Sequence, residues 1–170
     1  DYLAKNSLDN LINYIKNKKF DLLAYNFKLF STNKKLYKKR KDFSLLKFNK
    51  SEIISNFLAG NIDGSVIFTL FNKQLIRKNL IIFPKFLHED IPFIFKSYLF
   101  AKNIKILNKT IYLKRYHNKS IVNNINKKRI IGLLKAWRNL LKILKKEKYF
   151  PIECENYFRG FRGCLGLLIT

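Results

Sequence analysis

The segment FPKFLHEDIPFIFKSYLFA, residues 83–101, contains the features that decide how this chain folds. From Ile91 onward, apolar side chains recur at the three- and four-residue intervals of a helix, which predicts a helix over 91–101. Asp90 stands at the N-cap position of this helix. Pro92 falls in the first turn, where a backbone N–H would have no partner within the helix, so the proline does no harm. The segment therefore opens a helix on an acidic residue.

Two adjacent acidic residues, Glu89 and Asp90, stand out because the chain has only 11 Asp and Glu residues. A carboxylate at a helix start is stabilised by the free backbone N–H groups and by the helix dipole, which is a purely structural explanation. A carboxylate fixed there also stays ionised and projects from a rigid element, which suits a general base. The residues alone leave both interpretations open.

Helices and strands are also expected on both sides of this segment. Before it, the sequence pattern predicts helices over Ser7–Ile15 and Ser51–Leu58 and a short helix around Leu75. A strand is expected over 20–30 and a loop or hairpin arm over 31–41. The stretch over 66–71 fits either a strand or a helix. After it, two short strands are expected over 105–107 and 110–116, whereas residues 151–170 show no readable pattern.

The clearest helix is predicted over 127–146, where apolar residues form one stripe. The basic residues lie mainly on the other side: Lys128, Lys135, Arg138, Lys142, Lys145 and Lys146. A basic amphipathic helix of this kind is one way in which a protein binds a membrane surface.

The chain is strongly basic, with a formal charge of +24 from 35 Lys and Arg against 11 Asp and Glu. Such a balance favours anionic partners, namely nucleic acid, an acidic membrane surface or phosphorylated substrates. An AT-rich genome is a second explanation, because it enriches Lys, Asn and Ile whatever the function. With 48% hydrophobic residues, the chain can bury a core, which argues against disorder. Cys154 and Cys164 have no metal-binding spacing, so we expect reduced thiols.

Several short motifs follow one another in a recognisable order: F-P at 83–84, H-E-D-I-P-F at 88–93, A-K-N-I at 101–104 and Y-x-x-R-x-H-x-x-S at 112–120. This order resembles the second half of the bacterial family 2 glycosyltransferases. In that family an extended F-P leads to an E-D at a helix start, and a strand with the Y-x-x-R-x-H-x-x-S pattern follows. The segment L-F-N-K-Q-L-I over 70–76 is similar as well, although Phe68-Thr69 stands where many members have N-K.

The resemblance implies an α/β fold of the GT-A type, with a Rossmann-like sheet. Residues 1–120 would form the acceptor-side, C-terminal portion of the catalytic domain, and residues 121–170 a helical C-terminal extension. The strands that hold the nucleotide base in this family have no counterpart in the chain, which opens without Met on Asp1. We therefore expect a fragment that is inactive alone.

The resemblance also implies roles for six residues. Asp90 matches the catalytic base that deprotonates the acceptor hydroxyl, and Glu89 matches the neighbouring acid that holds the acceptor. The remaining four match donor-side positions, with Arg115 and Ser120 near the diphosphate and His117 and Asp1 at a divalent metal, Mn²⁺ or Mg²⁺. Without the resemblance, His117 reads as an ordinary histidine at a strand end and Arg115 as a solvated charge.

The expected activity is transfer of a sugar, with inversion, from a nucleotide-sugar donor such as a UDP-sugar. The acceptor would be a glycan or a lipid-linked acceptor of a cell-surface polysaccharide or lipopolysaccharide. The protein would be cytoplasmic and peripheral on the inner face of the cytoplasmic membrane, where its lysines contact anionic lipid.

Two rival functions without catalysis fit part of the pattern. A nucleic-acid-binding module is favoured by the charge and by the aromatic residues among lysines over 37–48. A membrane-surface module is favoured by the basic helix. Neither rival gives the Glu89-Asp90 pair a function, so we expect no nucleic-acid partner.

Overall fold

A computed structural model describes residues 1–16, 18–30, 36–39, 49–62, 65–115 and 126–166. The chain divides into two compact units. The first, which we call the sheet unit, comprises Asp1–Lys47, Ile67–Asn72 and Lys102–Asn124. The second, the helical unit, comprises Phe48–Val66, Lys73–Ala101 and Ile125–Thr170.

The sheet unit contains one helix and five described strands: β1 (Tyr2–Leu3), α1 (Ser7–Ile15), β2 (Leu22–Phe30), β3 (Leu36–Lys39), β4 (Thr69–Phe71) and β5 (Ile104–Arg115). The strand order is β1-β5-β2-β3, and β4 also pairs with β2. β2 runs parallel to β5 and antiparallel to β3 and β4, while β1 runs antiparallel to β5 on its other side. β2 is therefore the central strand.

Both faces of the central strand β2 are covered over its first six residues. Residues 22–27 are all buried, as expected for a strand paired in parallel within a mixed sheet. Phe27 stacks on Phe68 with 3.8 Å between ring centroids, and the Tyr25 hydroxyl donates to the carbonyl of Ile67 at 2.7 Å. Leu11 of α1 packs into the same core.

The two strands expected over 105–107 and 110–116 are one strand as far as the structure describes them, to Arg115. The register of β2 against β5 shifts on both sides of Asn26, which marks an irregularity of the bulge type. The amide of Asn26 donates to the side-chain carbonyl of Asn108 at 2.7 Å. Residues 108 and 109, which separate the two expected strands, therefore belong to one continuous strand that carries a bulge.

The helical unit contains the remaining helices: α2 (Lys50–Leu58), α3 (Lys73–Lys78), α4 (Asp90–Phe100), α5 (Lys127–Lys146) and α6 (Phe150–Gly166). A short 3-10 helix, Val66–Phe68, leads into β4, so the ambiguous stretch over 66–71 is half helical and half extended. Helix α2 begins one residue before the expected start at Ser51, and Asn49 caps it with Glu52 in a capping box. No helix among the described residues is long and apolar enough to cross a membrane.

The sequence pattern over 151–170 did not predict helix α6, although the resemblance implied a helical extension in this part of the chain. Helix α6 packs against α2 and α5, and Gly160 lies against residues of both helices. A Cβ atom there would overlap the carbonyl oxygen of Leu58 and lie 2.7 Å from Cη2 of Trp137. Both cysteines of this helix, Cys154 and Cys164, are free and partly buried.

Candidate active site

The turn that precedes α4 carries the Glu89-Asp90 pair. His88 adopts a left-handed backbone conformation with φ of 64°, which is uncommon outside glycine and asparagine. Its carbonyl accepts from the N–H of Ile91 at 3.3 Å, and the carbonyl of Glu89 accepts from the N–H of Phe93 at 3.4 Å. The chain therefore enters the helix through one tight, hydrogen-bonded turn.

Asp90 is the first residue of α4, and not its N-cap as expected. Glu89 occupies the N-cap position with helical backbone angles of −61° and −25°, and its side chain makes no capping hydrogen bond. The Oδ1 atom of Asp90 accepts from the N–H of Ile91 at 3.0 Å. Because the N–H groups of the first turn and the helix dipole favour negative charge, the helix start stabilises this carboxylate in its ionised form.

The helix behind Asp90 is deeply packed. Most of its residues are buried, namely Pro92, Phe93, Ile94, Phe95, Ser97, Tyr98 and Leu99. Phe83 stacks face to face on Phe93, with 3.9 Å between centroids and 1° between planes. The F-P segment is therefore packed against α4, and the acidic pair projects from a rigid support, as a general base requires.

A glycine in α5 contributes to the same support. A Cβ atom at Gly132 would lie 2.7 Å from Cβ and 2.8 Å from the carbonyl oxygen of Leu87, which is closer than packed atoms approach. Gly132 thus lets α5 contact the backbone immediately before His88. This residue was not singled out from the sequence, although a lone glycine inside a strongly amphipathic helix was a visible signal.

His88 is held neutral by its surroundings. Burial lowers the pKa of its imidazole below 6.5, the positive charge of Arg129 lowers it further, and Glu89 opposes both with a smaller upward effect. Its Nε2 atom is buried and has no hydrogen-bond partner among the described residues. A lowered pKa keeps the imidazole uncharged near pH 7, so His88 adds no positive charge beside the acidic pair.

On the sheet unit, the structure brings together two of the donor-side residues. The Oδ1 atom of Asp1 accepts from the backbone N–H of Arg115 at 2.6 Å, and Oδ2 accepts from the hydroxyl of Tyr112 at 3.1 Å. Pairing of Tyr2 with Leu113 between β1 and β5 sets this position. Asp1 therefore presents an exposed carboxylate directly beside the backbone of Arg115.

The other two donor-side residues, His117 and Ser120, lie outside the described residues. Among the residues that the structure does describe, no three His, Cys, Asp or Glu side chains come together at a metal-binding distance. The oxygen donors of Asp1 are of the type that Mg²⁺ and Mn²⁺ prefer, but a single carboxylate is not a complete site.

A buried carboxylate on α6 was also missed. Glu153 is only 2% exposed, and it accepts from the Ser55 hydroxyl at 2.7 Å and from the Asn156 amide at 3.0 Å. It links α6 to α2, which is a structural role. No sequence signal identified it, because the segment around it could not be assigned.

The chain was compared with known proteins. No family model matches it, and no curated protein matches it. Among solved structures, Staphylococcus aureus TarS 1–349 in complex with UDP-GlcNAc matches with a TM-score of 0.57 at 20% identity, over 82% of this chain and 40% of that chain. TarS 1–349 alone matches with a TM-score of 0.52 at 22% identity, over 83% of this chain and 38% of that one.

A longer TarS chain matches with a TM-score of 0.54 at 21% identity, over 84% of this chain and 23% of that chain. The present chain thus spans 40% or less of the length of each of these structures. At such identities the likeness shows the fold alone. It confirms the expected α/β class, in a fold that this chain shares with TarS, a glycosyltransferase.

Proposed function

We propose that the whole protein is an inverting glycosyltransferase of family 2, with a GT-A catalytic domain and Asp90 as its general base. The observation that carries this proposal is the Glu89-Asp90 pair at the start of a packed helix, in a chain with a glycosyltransferase fold. Either feature alone has a structural explanation. Together they support the proposal that a carboxylate of this pair accepts the proton of the acceptor hydroxyl.

The proposed chemistry at Asp90 is proton removal. The acceptor hydroxyl attacks the anomeric carbon from the face opposite the leaving nucleotide, and its proton passes to Oδ2 or Oδ1 of Asp90 as the new bond forms. Inversion follows from this geometry, because one displacement occurs without a covalent intermediate. Glu89 accepts a hydrogen bond from another acceptor hydroxyl and so fixes the acceptor in position.

The donor side of the proposal uses the sheet unit. The guanidinium of Arg115 and the hydroxyl of Ser120 would bind the diphosphate, whose negative charge grows as the sugar departs. Asp1 and His117 would hold a divalent cation, Mn²⁺ or Mg²⁺, and such a cation supplies charge neutralisation at the diphosphate when bound. We propose a UDP-sugar as donor, because a TarS structure with this fold holds UDP-GlcNAc.

The acceptor in this proposal is a glycan or a lipid-linked glycan of a cell-surface polysaccharide. The basic side of α5 supports a location on the inner face of the cytoplasmic membrane, since its cations are exposed: Lys128, Lys135, Arg138, Lys142, Lys145 and Lys146. Each Lys or Arg near an anionic surface contributes about 1 kcal/mol of attraction.

The experiment that tests this function uses the whole protein with radiolabelled UDP-sugars and Mn²⁺ or Mg²⁺. We expect slow release of sugar from one donor in water, and faster transfer when membrane glycolipids are added. Binding to random DNA is measured in parallel. Salt-sensitive DNA binding without any sugar release would replace the enzyme proposal with the nucleic-acid alternative.

A further inference from the structure

A cavity of about 450 Å³ opens within the helical unit, between the turn that precedes α4 and the N-terminal half of α5. Its volume is within the range of about 300–1,000 Å³ that is typical of small-molecule sites. Four lysines line it: Lys85, Lys127, Lys128 and Lys135. None of the proposed catalytic or donor-side residues is among the residues that line it.

The four ammonium groups have no compensating acid in the part of the chain that the structure describes. No carboxylate lines the cavity, and none of the four lysines forms an ion pair with a described residue. Four like charges around one cavity repel each other, and this repulsion is relieved when an anion enters. The first N–H groups of α5, at Lys127 and Lys128, add partial positive charge on the same side.

The rest of the cavity lining is apolar. Phe86, Leu87 and Ile131 contribute to it beside Gly132, whose lack of a side chain lets α5 lie against Leu87. Lys128, Ile131, Gly132 and Lys135 share one side of α5, because each lysine is three or four residues from both Ile131 and Gly132. The cavity is thus lined by both cations and apolar side chains.

This arrangement fits a phosphate ester better than a simple anion. Lysine ammonium groups act as point charges toward phosphate, whereas the paired oxygens of a carboxylate favour the planar fork of arginine. The apolar part of the lining adds contact area for the carbon part of an ester, which inorganic phosphate lacks. We propose that this cavity is a binding site for a phosphate ester, independently of any transferase activity.

The test compares a pocket variant with a matched variant on the same helix. Lys85→Gln/Lys128→Gln removes two charges from the cavity, and Lys142→Gln/Lys145→Gln removes two exposed charges elsewhere on α5. Binding of octyl phosphate and inorganic phosphate is measured by calorimetry. We expect octyl phosphate to bind more tightly than inorganic phosphate, and the pocket variant to lose about tenfold or more in affinity while the control changes less than twofold.

Vesicles separate the two sources of such an ester, a soluble metabolite and a lipid headgroup. Co-sedimentation is measured with phosphatidylcholine vesicles with and without phosphatidic acid. If the ligand is a lipid headgroup, the pocket variant should lose more vesicle binding than the control variant. If the ligand is soluble, both variants should lose vesicle binding equally, while octyl phosphate still binds the control variant more tightly than the pocket variant. The proposal would be overturned if octyl phosphate does not bind. It would also be overturned if both variants lose the same affinity for octyl phosphate while their melting curves are unchanged.

Discussion

The side chain of Asp1 accepts a 2.6 Å hydrogen bond from the backbone N–H of Arg115, across 114 positions of sequence. Pairing of the short β1 with the end of β5 creates this contact. The donor is the backbone N–H of Arg115, so the guanidinium of Arg115 takes no part in this hydrogen bond. Both groups therefore remain available to a diphosphate and its cation in the proposed reaction.

The first prediction concerns the charge of Asp1. Asp1→Asn keeps an oxygen that can accept from Arg115, so the fold is retained, but it removes the negative charge that a cation needs. We expect the metal concentration for half-maximal sugar release by the whole protein to rise about 10–100-fold, the cost typical of a damaged metal site. Asp9→Asn, at another exposed carboxylate, is the control. An unchanged metal titration for Asp1→Asn would remove Asp1 from the proposed site.

The second prediction separates the two acids of the pair. Asp90→Asn preserves shape but cannot take up a proton, so turnover should fall about 10²–10⁴-fold while the melting temperature stays within a few degrees. Glu89→Gln should raise the KM for the acceptor more than it lowers kcat, because its proposed role is to hold the acceptor. Near-normal turnover of Asp90→Asn would make that carboxylate a structural group only.

The third prediction concerns Gly132, which we propose as a positioning residue for the acidic pair. Gly132→Ala places a methyl group against the backbone of Leu87, so the turn or α5 must move. Overpacking of this kind costs about 1–3 kcal/mol of unfolding free energy. Gly163→Ala is a matched control in α6, because a Cβ there meets nothing within 4 Å, and it should be neutral or stabilising.

Activity provides the readout that a merely structural role would not change. If Gly132 positions the turn, the folded fraction of Gly132→Ala at low temperature should show reduced kcat in the sugar-transfer assay. Equal specific activity per folded molecule in wild type and Gly132→Ala would limit the residue to a packing role.

The sequence was informative where one helix face is apolar. The helices over 91–101 and 127–146 were predicted within one residue because their buried side chains recur at helical intervals. The hydrophobic pattern over 151–170 did not predict helix α6, because the buried positions of this helix are Glu153, Tyr157 and Gly160. Their spacing is helical, but two of the three are not the large apolar residues by which a buried face is recognised.

For the candidate site, the sequence suggested residues but not the contacts between them. The resemblance pointed to Asp90 and Arg115, whereas the contact of Asp1 with Arg115 depends on pairing between distant strands, which local patterns do not encode. The contact of Gly132 with Leu87 and the lysine-lined cavity both depend on how α5 packs against the turn that precedes α4. The sequence alone does not specify which residues meet in that packing.

The fourth prediction concerns His88 and pH. Its pKa is lower in the folded protein than the ordinary 6.5, chiefly through burial and then through Arg129, so the unfolded chain binds a proton more readily than the folded one. This contribution to stability is therefore fully present above the unfolded pKa and is lost as pH falls below it through the folded pKa. His88→Asn removes the titration, and asparagine tolerates the positive φ of this position. We expect the melting temperature of the wild type to fall more steeply between about pH 7 and pH 5 than that of His88→Asn, as measured by circular dichroism. Parallel pH profiles for the two proteins would show that the folded environment does not oppose protonation of His88.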